Sequence, residues 1–259
     1  MVTNTFPKTP RRPIADDVCS TRNSLSEGPT EANSIPVSSI ATLKVAINYR
    51  VKNKILPDDA AGRKRANWTF TNRELTPEDF IEQVSSGFAF CPWLSGRRHP
   101  SNFRCMQVLA VDVDFGLTID DVLANKFFET FGWFIYTTSS HKPDAHHFRV
   151  VFLLAQPIDT VERMNQAYTG IRMIVGGGLC SKDASRMFYG SENCEIYRAG
   201  HVLPAEQLES VIELGQIAID CREYVEHLRR DLNRQWHVHT SDFRPIERKL
   251  VDACYSDGE

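Results

Sequence analysis

Apolar residues along the chain follow two rhythms, and their alternation predicts a sequence of elements. Leu43, Val45 and Ile47 alternate with polar or small residues, the two-residue period of a strand with one buried face. A basic, polar loop with Lys52, Lys54, Arg63, Lys64 and Arg65 follows. Thr76-Pro77-Glu78-Asp79 then opens a helix, with a hydroxyl N-cap, proline in the first turn and carboxylates at the positive end of the helix dipole. Phe80, Ile81 and Val84 form its apolar face and Gly87 stops it. Val108 to Phe115 reads as a strand. Thr118 with Asp121 resembles a capping box, and Ile119, Val122, Leu123 and Phe127 follow at helical spacing up to Gly132. Trp133 to Thr138 and Phe148 to Leu154 read as two strands joined by a polar turn, Ser139 to His147. Asp159 with Glu162 caps a further helix, striped by Val161, Met164, Tyr168, Ile171 and Val175 and closed by Gly176-Gly177-Gly178. Met187 to Tyr189 starts a fourth strand.

The order is β-α-β-β-α-β, the split βαβ arrangement that also builds RNA-recognition-type (RRM-like) sheets, with helices on one face and the other face free. The expected class is therefore α/β (α+β). Residues 1–40, rich in Ser, Thr, Pro and Asn without apolar periodicity, bury too little to offset ordering entropy and read as a disordered leader. The core is expected over 41–204. Residues 205–259 read as a helical segment, from Leu208, Val211 and Ile212 through Tyr224, Val225, Leu228 and Leu232. The chain closes on Cys254-Tyr255-Ser256 without a stop signal, as a fragment of a longer protein would.

Composition narrows the class. At 259 residues, 42% hydrophobic and 24% charged, the chain has material for one sizeable core. No run of roughly 18 apolar residues is present to span a bilayer, and the N-terminus lacks the apolar stretch of a signal peptide, so a cytoplasmic protein without a membrane partner is expected. The 7 cysteines are scattered and odd in number with no close pair, which suggests neither a disulfide framework nor structural zinc. A net charge of −3 means that any contact with nucleic acid must be local.

Three stretches carry candidate chemistry. In Val108-Leu-Ala-Val-Asp112-Val-Asp114-Phe115 the strand period places both aspartates on one face, roughly 6–7 Å apart at Cα, where their oxygens can converge on one or two divalent cations. Hard oxygen donors suit Mg²⁺ or Mn²⁺ rather than zinc. Two aspartates at a strand end are also an ordinary surface feature, so this pair alone decides little. The turn Ser139-Ser140-His141-Lys142-Pro143 and the next strand, opening Phe148-Arg149, add hydroxyls, an imidazole and two cations, the groups that neutralise a triphosphate. His146 and His147 read as surface residues. Finally, Lys182-Asp183-Ala184-Ser185-Arg186 supplies a third carboxylate and an arginine able to clamp phosphate or pair with an aspartate.

Asp112-Val-Asp114, then Ser139-Ser-His141 at a strand end, then Asp183-Ala-Ser-Arg186-Met-Phe-Tyr189 resembles the archaeo-eukaryotic primase superfamily, in particular the primase-polymerases of plasmids, phages and mobile elements. The similarity spans about residues 70 to 200 and includes Leu75-Thr-Pro-Glu-Asp-Phe80 up to Gly87 and Asn102-Phe103. The resemblance implies a catalytic core pairing the RRM-like sheet with an N-terminal α/β unit. Asp112, Asp114 and Asp183 would be the catalytic metal ligands, with Asp144 and Glu195 as substitutes for the third. Ser139, Ser140, His141, Lys142, Arg149 and Arg186 would contact the incoming nucleotide. The implied reaction is template-dependent primer synthesis and extension by two metals on single-stranded DNA with (d)NTPs, in the company of a helicase domain or replication proteins.

The basic loops Arg63-Lys64-Arg65 and Arg97-Arg98 are candidate contacts to template or to the initiating triphosphate. Trp68, Phe70, Phe90 and Trp93 are candidate base-stacking residues, although core packing suits most of them. Two other readings compete. Trp236-His237-Val238-His239 with Tyr255 would suit a rolling-circle replication-initiator endonuclease, but these residues fall outside the βαββαβ pattern. A nucleic-acid-binding module without activity would keep the sheet and lose the acids, which are all present.

Overall fold

The computed structural model describes residues 34–52, 54–55, 59–176 and 183–236. The N-terminal leader lies outside these residues up to 33, yet its last part is ordered. Ile35–Pro36 form strand β1, and Val37–Ser39 make a short 3-10 turn. Next come β2 (Leu43–Asn48), α1 (Ala60–Ala66), β3 (Thr71–Leu75), α2 (Pro77–Ser85), β4 (Ala89–Cys91), β5 (Trp93–Leu94) and β6 (Phe103–Val113). The second half holds α3 (Ile119–Leu123), α4 (Lys126–Phe131), β7 (Phe134–Thr137), β8 (Phe148–Ile158), α5 (Val161–Val175), β9 (Ile196–Arg198), β10 (His201–Leu203) and α6 (Ala205–Trp236). Among the described residues no helix is long and apolar enough to cross a membrane.

The central sheet has antiparallel β6, β8 and β7 side by side in the order 6-8-7. Because β8 is long, β7 pairs with its first half and β10 runs parallel to its second. β5 lies beyond β6, β9 beyond β7, and β1 beyond β10. The fourth strand is not where the sequence places it. Phe188 exchanges two backbone hydrogen bonds with Phe90 of β4, both at 2.8 Å, and forms an isolated bridge. The Tyr189 carbonyl, which a ladder would need, instead accepts from the Arg149 guanidinium and the Tyr136 hydroxyl.

A smaller antiparallel sheet, β3-β2-β4, precedes the central one. It changes the expectation of a free sheet face. On one side of the central sheet, Phe152 meets Phe127 and Phe128 of the helical layer at ring distances of 6.0 and 5.9 Å. On the other side, Phe80 of α2 meets Trp133, Phe134 and the Phe90 ring at 5.3, 6.4 and 5.1 Å. Phe90 stacks in turn on Phe188. Phe80 of α2 is therefore packed against this second face, and a cleft lies at the end of the face that carries Asp112.

Local signals hold at most helix starts. The Thr76 hydroxyl accepts the Asp79 N–H at 3.1 Å, and Thr118 and Asp121 form the reciprocal capping box. The single helix expected from Thr118 to Gly132 is two helices, because the Asn125 side chain accepts the N–H groups of Phe127 and Phe128 and so starts α4 afresh. Thr160, one residue after the expected Asp159, caps α5 through the Arg163 N–H. Gly176, at φ +75°, ends α5 in the left-handed conformation that glycine adopts without a Cβ clash. The stretch expected as a basic loop contains a helix, Ala60–Ala66.

Candidate active site

Register builds the site. Asp112 on β6 pairs with Arg149 on β8, and Arg149 pairs with Tyr136 on β7, so the three side chains form one row across three strands on the same face. The Arg149 guanidinium donates through Nε to Asp112 Oδ1, through Nη1 to the Tyr136 hydroxyl at 2.9 Å, and to the Tyr189 carbonyl. Arg186 reaches the same carboxylate from the other side, donating to Asp112 Oδ2 at 2.6 Å. Both oxygens of Asp112 thus carry an arginine.

The electrostatics follow from this row. Burial raises the Asp112 pKa, but the Arg149 charge, a hydrogen bond from each of Arg186 and Arg149 and the Arg186 charge outweigh it and hold the carboxyl below its ordinary value. Burial alone would lower the pKa of Arg149; Tyr136 and Asp112 reverse this and keep it charged. Burial pushes the Tyr136 phenol up to about 12, so it serves as a neutral donor and acceptor.

Asp114 lies one step past β6 with its side chain 59% exposed, and His147 Nδ1 stands 3.3 Å from its Oδ1. The turn from Thr138 to His147 is tied at its base by Thr138, whose N–H and hydroxyl both donate to the His147 carbonyl, at 3.0 and 3.2 Å. Ser139 and Ser140 line the cleft above Asp112 and Asp114, whereas His141 and Lys142 do not. His141 Nδ1 accepts the His147 N–H at 3.2 Å and its ring packs edge-on against His146. The imidazole beside Asp114 is therefore His147 and not His141, although its place in the turn suggests only a surface residue. Asp144 is exposed in this turn, and Glu195 accepts the Tyr197 hydroxyl at 2.6 Å; neither lines the cleft.

Asp183 lines the same cleft, of about 390 Å³, together with Asp112, Asp114, Arg149 and Arg186. Its Oδ1 accepts both the N–H and the hydroxyl of Ser185 at 2.8 Å, and Oδ2 lies 3.6 Å from Arg98. Arg98 also donates to Asn67 Oδ1 and to the Ser185 carbonyl. Of the basic loops, Arg98 thus belongs to the cleft itself, while Arg97 lies over the Trp68 ring at 4.8 Å. Lys64 lines a separate cavity, and the side chains of Arg63 and Arg65 lie outside the described residues, as do Lys182, His237, His239 and Tyr255. Phe70 packs on the core and Phe90 is buried in it, while Trp93 is half-buried under Lys44.

Lys54, Tyr136, Tyr189 and His147 complete the surroundings, and no motif in the sequence gives any of them a role in the site. Period two does place Tyr136 on one face of β7, but only the cross-strand register sets it opposite Arg149.

Among the described residues, no three His, Cys, Asp or Glu side chains are gathered as a ready-made ion cage. The donors nevertheless fit Mg²⁺ or Mn²⁺ in kind. Such an ion is commonly held by one or two carboxylates and completed by water and substrate phosphates, and Asp112 and Asp114, which line one cleft, offer that minimum, Asp112 with a second lone pair on each oxygen beside its arginine hydrogen bond.

No protein-family profile matches the chain, and no curated protein matches it. Two solved structures are similar at a low level. The first is the AEP domain of the Cyanophage S-2L primase-polymerase, at 14% identity and a TM-score of 0.37, covering 66% of this chain and 89% of that one. The second is the primase RepB′, at 12% identity and a TM-score of 0.40, covering 78% of this chain and 67% of that one. At these values the reading of the site rests on its own geometry.

Proposed function

We propose that the chain is a DNA primase-polymerase, which joins nucleotides on a single-stranded DNA template at the cleft between β6, the β7–β8 turn and the segment from Asp183 to Tyr189. The observation that carries this reading is that Asp112, Asp114 and Asp183, remote from one another along the chain, line one cleft with Ser139, Ser140 and Arg186. A set of acids with hydroxyl and guanidinium donors is what transfer of a nucleotidyl group from a triphosphate needs.

A divalent ion at Asp112 and Asp114, Mg²⁺ or Mn²⁺, would neutralise the triphosphate and acidify the attacking 3′-hydroxyl. The protein's own part is orientation and charge. Arg149, fixed by Tyr136 and the Tyr189 carbonyl, holds the Asp112 carboxylate at one angle. Arg186 has further N–H donors beyond the one on Asp112, and with Lys54, Ser139 and Ser140 it can take up phosphate oxygens entering the cleft. Arg98 and Ser185 keep Asp183 on the cleft wall.

The test is incubation with single-stranded template, labelled nucleoside triphosphates and Mg²⁺ or Mn²⁺. Extended product is expected from the wild type and none from Asp112→Ala or Asp114→Asn. Product that survives Asp112→Ala would place the chemistry elsewhere, and no product with either ion would leave a nucleic-acid-binding protein.

A further inference from the structure

A second cavity, of about 720 Å³, is formed by the chain between β2 and β3, including α1. Its walls carry three cations, Arg50, Lys52 and Lys64, and one acid, Asp59, whose Oδ1 accepts the Gly62 N–H at 2.6 Å. Lys52 shares its ammonium with Glu192 at 3.1 Å. Trp68 is part of the wall and remains 61% exposed, with the Arg97 guanidinium over its ring. Arg50 and Lys64 in the wall and Arg97 over the ring thus set cations in the same cavity region as one exposed indole. Cations beside an exposed aromatic ring are the means by which surfaces hold unpaired nucleotides, the ring stacking on a base and the cations taking phosphates.

This cavity borders the acid cleft. Consecutive residues Lys54 and Ile55 line the cleft and the cavity respectively. A small core of Val51, Ala66 and Ala89, flanked by Ile55, Met187 and Tyr189, forms the partition between them. Arg98 lines the cleft 3.6 Å from Asp183 and donates to Asn67, the residue before Trp68.

We infer that the cavity docks a DNA single strand, with an unpaired base on Trp68 and its phosphate between Arg50 and Lys64. Binding there stands by itself; only the onward path of the strand to the acids rests on the nucleotidyl-transfer reading. Arg97 covers one face of the indole and leaves the opposite face to the base, and by steadying the ring it reduces the side-chain freedom lost on binding.

The experiment is fluorescence anisotropy of a short labelled oligothymidylate with the intact protein. Trp68→Ala is expected to weaken binding by roughly tenfold or more, and Trp68→Phe to keep most of the affinity because a ring remains. Lys64→Ala is expected to reduce the slope of log K against log salt by roughly 0.7, one phosphate contact on a single strand. Lys126→Ala, which removes an exposed cation on α4 outside the cavity, should bind the strand like the wild type. Trp68→Ala binding with wild-type affinity would overturn the inference, as would displacement of the strand by thymidine monophosphate at equal nucleotide concentration. Because Trp68 is exposed, an unchanged circular dichroism spectrum is expected for its variants. A wild type that binds through Trp68 yet incorporates no nucleotide would uphold this site and refute the polymerase reading alone.

Discussion

Asp112 and Arg149 stand directly opposite each other on β6 and β8, and the carboxylate accepts from the guanidinium across the strands. The Arg149 side chain is only 11% exposed. Asparagine at 112 would leave a buried guanidinium without its counter-charge, a loss of about 3–5 kcal/mol for a pair broken on one side. At roughly 2–4 °C per kcal/mol for a chain of this size, the midpoint of thermal unfolding should fall by about 10 °C. Asp114 is 59% exposed, and Asp114→Asn should change stability by no more than about 0.5 kcal/mol. Both variants should lose nucleotide incorporation. Thermal unfolding followed by circular dichroism separates them, and equal melting of the two would show that the Asp112–Arg149 row does not support the fold.

The same pair sets an acid limit on stability. The folded Asp112 carboxyl titrates below its unfolded value, so the unfolded chain binds its proton first as pH falls. Its contribution is complete above the unfolded value, about 3.9, and is lost as pH drops through the lower folded value. Urea unfolding between neutral pH and about pH 3 should therefore show a steeper acid loss for the wild type than for Asp112→Asn. Parallel curves would mean that the arginines do not hold the carboxylate ionised.

What was legible in the sequence was local. The acids two apart on one strand share a face, and the hydroxyls of Thr76 and Thr118 cap helices, because each needs only neighbouring residues. What was not legible depended on long-range register or on the path of a turn. Nothing near Arg149 in sequence says that Tyr136 and Asp112 flank it. His147 rather than His141 approaches Asp114 because of how the turn closes on Thr138. Asn125 reads as one polar position in a helical stripe, yet its side chain caps α4 and donates to the Ile174 carbonyl. Phe188 has a strand's alternation, but its partner is Phe90 in the other sheet.

Helices α5 and α6 pack backbone against backbone at two glycines. A Cβ on Gly170 would lie 1.9 Å from the Val211 carbonyl oxygen, and one on Gly215 would lie 1.9 Å from that of Gln166. Alanine at either position gains about 1 kcal/mol of helix propensity, but it must push two rigid backbones apart. Overpacking costs typically about 1–3 kcal/mol, and contacts to backbone atoms that cannot rotate away belong at or above the upper end. Gly170→Ala should therefore lower stability by about 2 kcal/mol net. A variant that melts at or above the wild-type temperature would show that α6 is not held this close to α5.

His141 tests whether the turn acts by touching nucleotide or by holding its own shape. Its Nδ1 accepts the His147 N–H, and His147 borders Asp114, so His141 acts here as a positioning residue. Loss of one such hydrogen bond costs about 1 kcal/mol. Spread onto the Ser139-Ser140 segment that lines the cleft, this should raise KM for the nucleotide roughly fivefold and leave kcat within about twofold in His141→Ala. Asparagine at 141 can still accept the His147 N–H through Oδ1, so His141→Asn should restore most of the affinity. If His141 instead met the triphosphate directly, asparagine would not replace the imidazole, and kcat would fall in both variants. Steady-state kinetics of the two substitutions, with Asp114→Asn as the variant expected to lose kcat, therefore decides which histidine of the turn serves the acids.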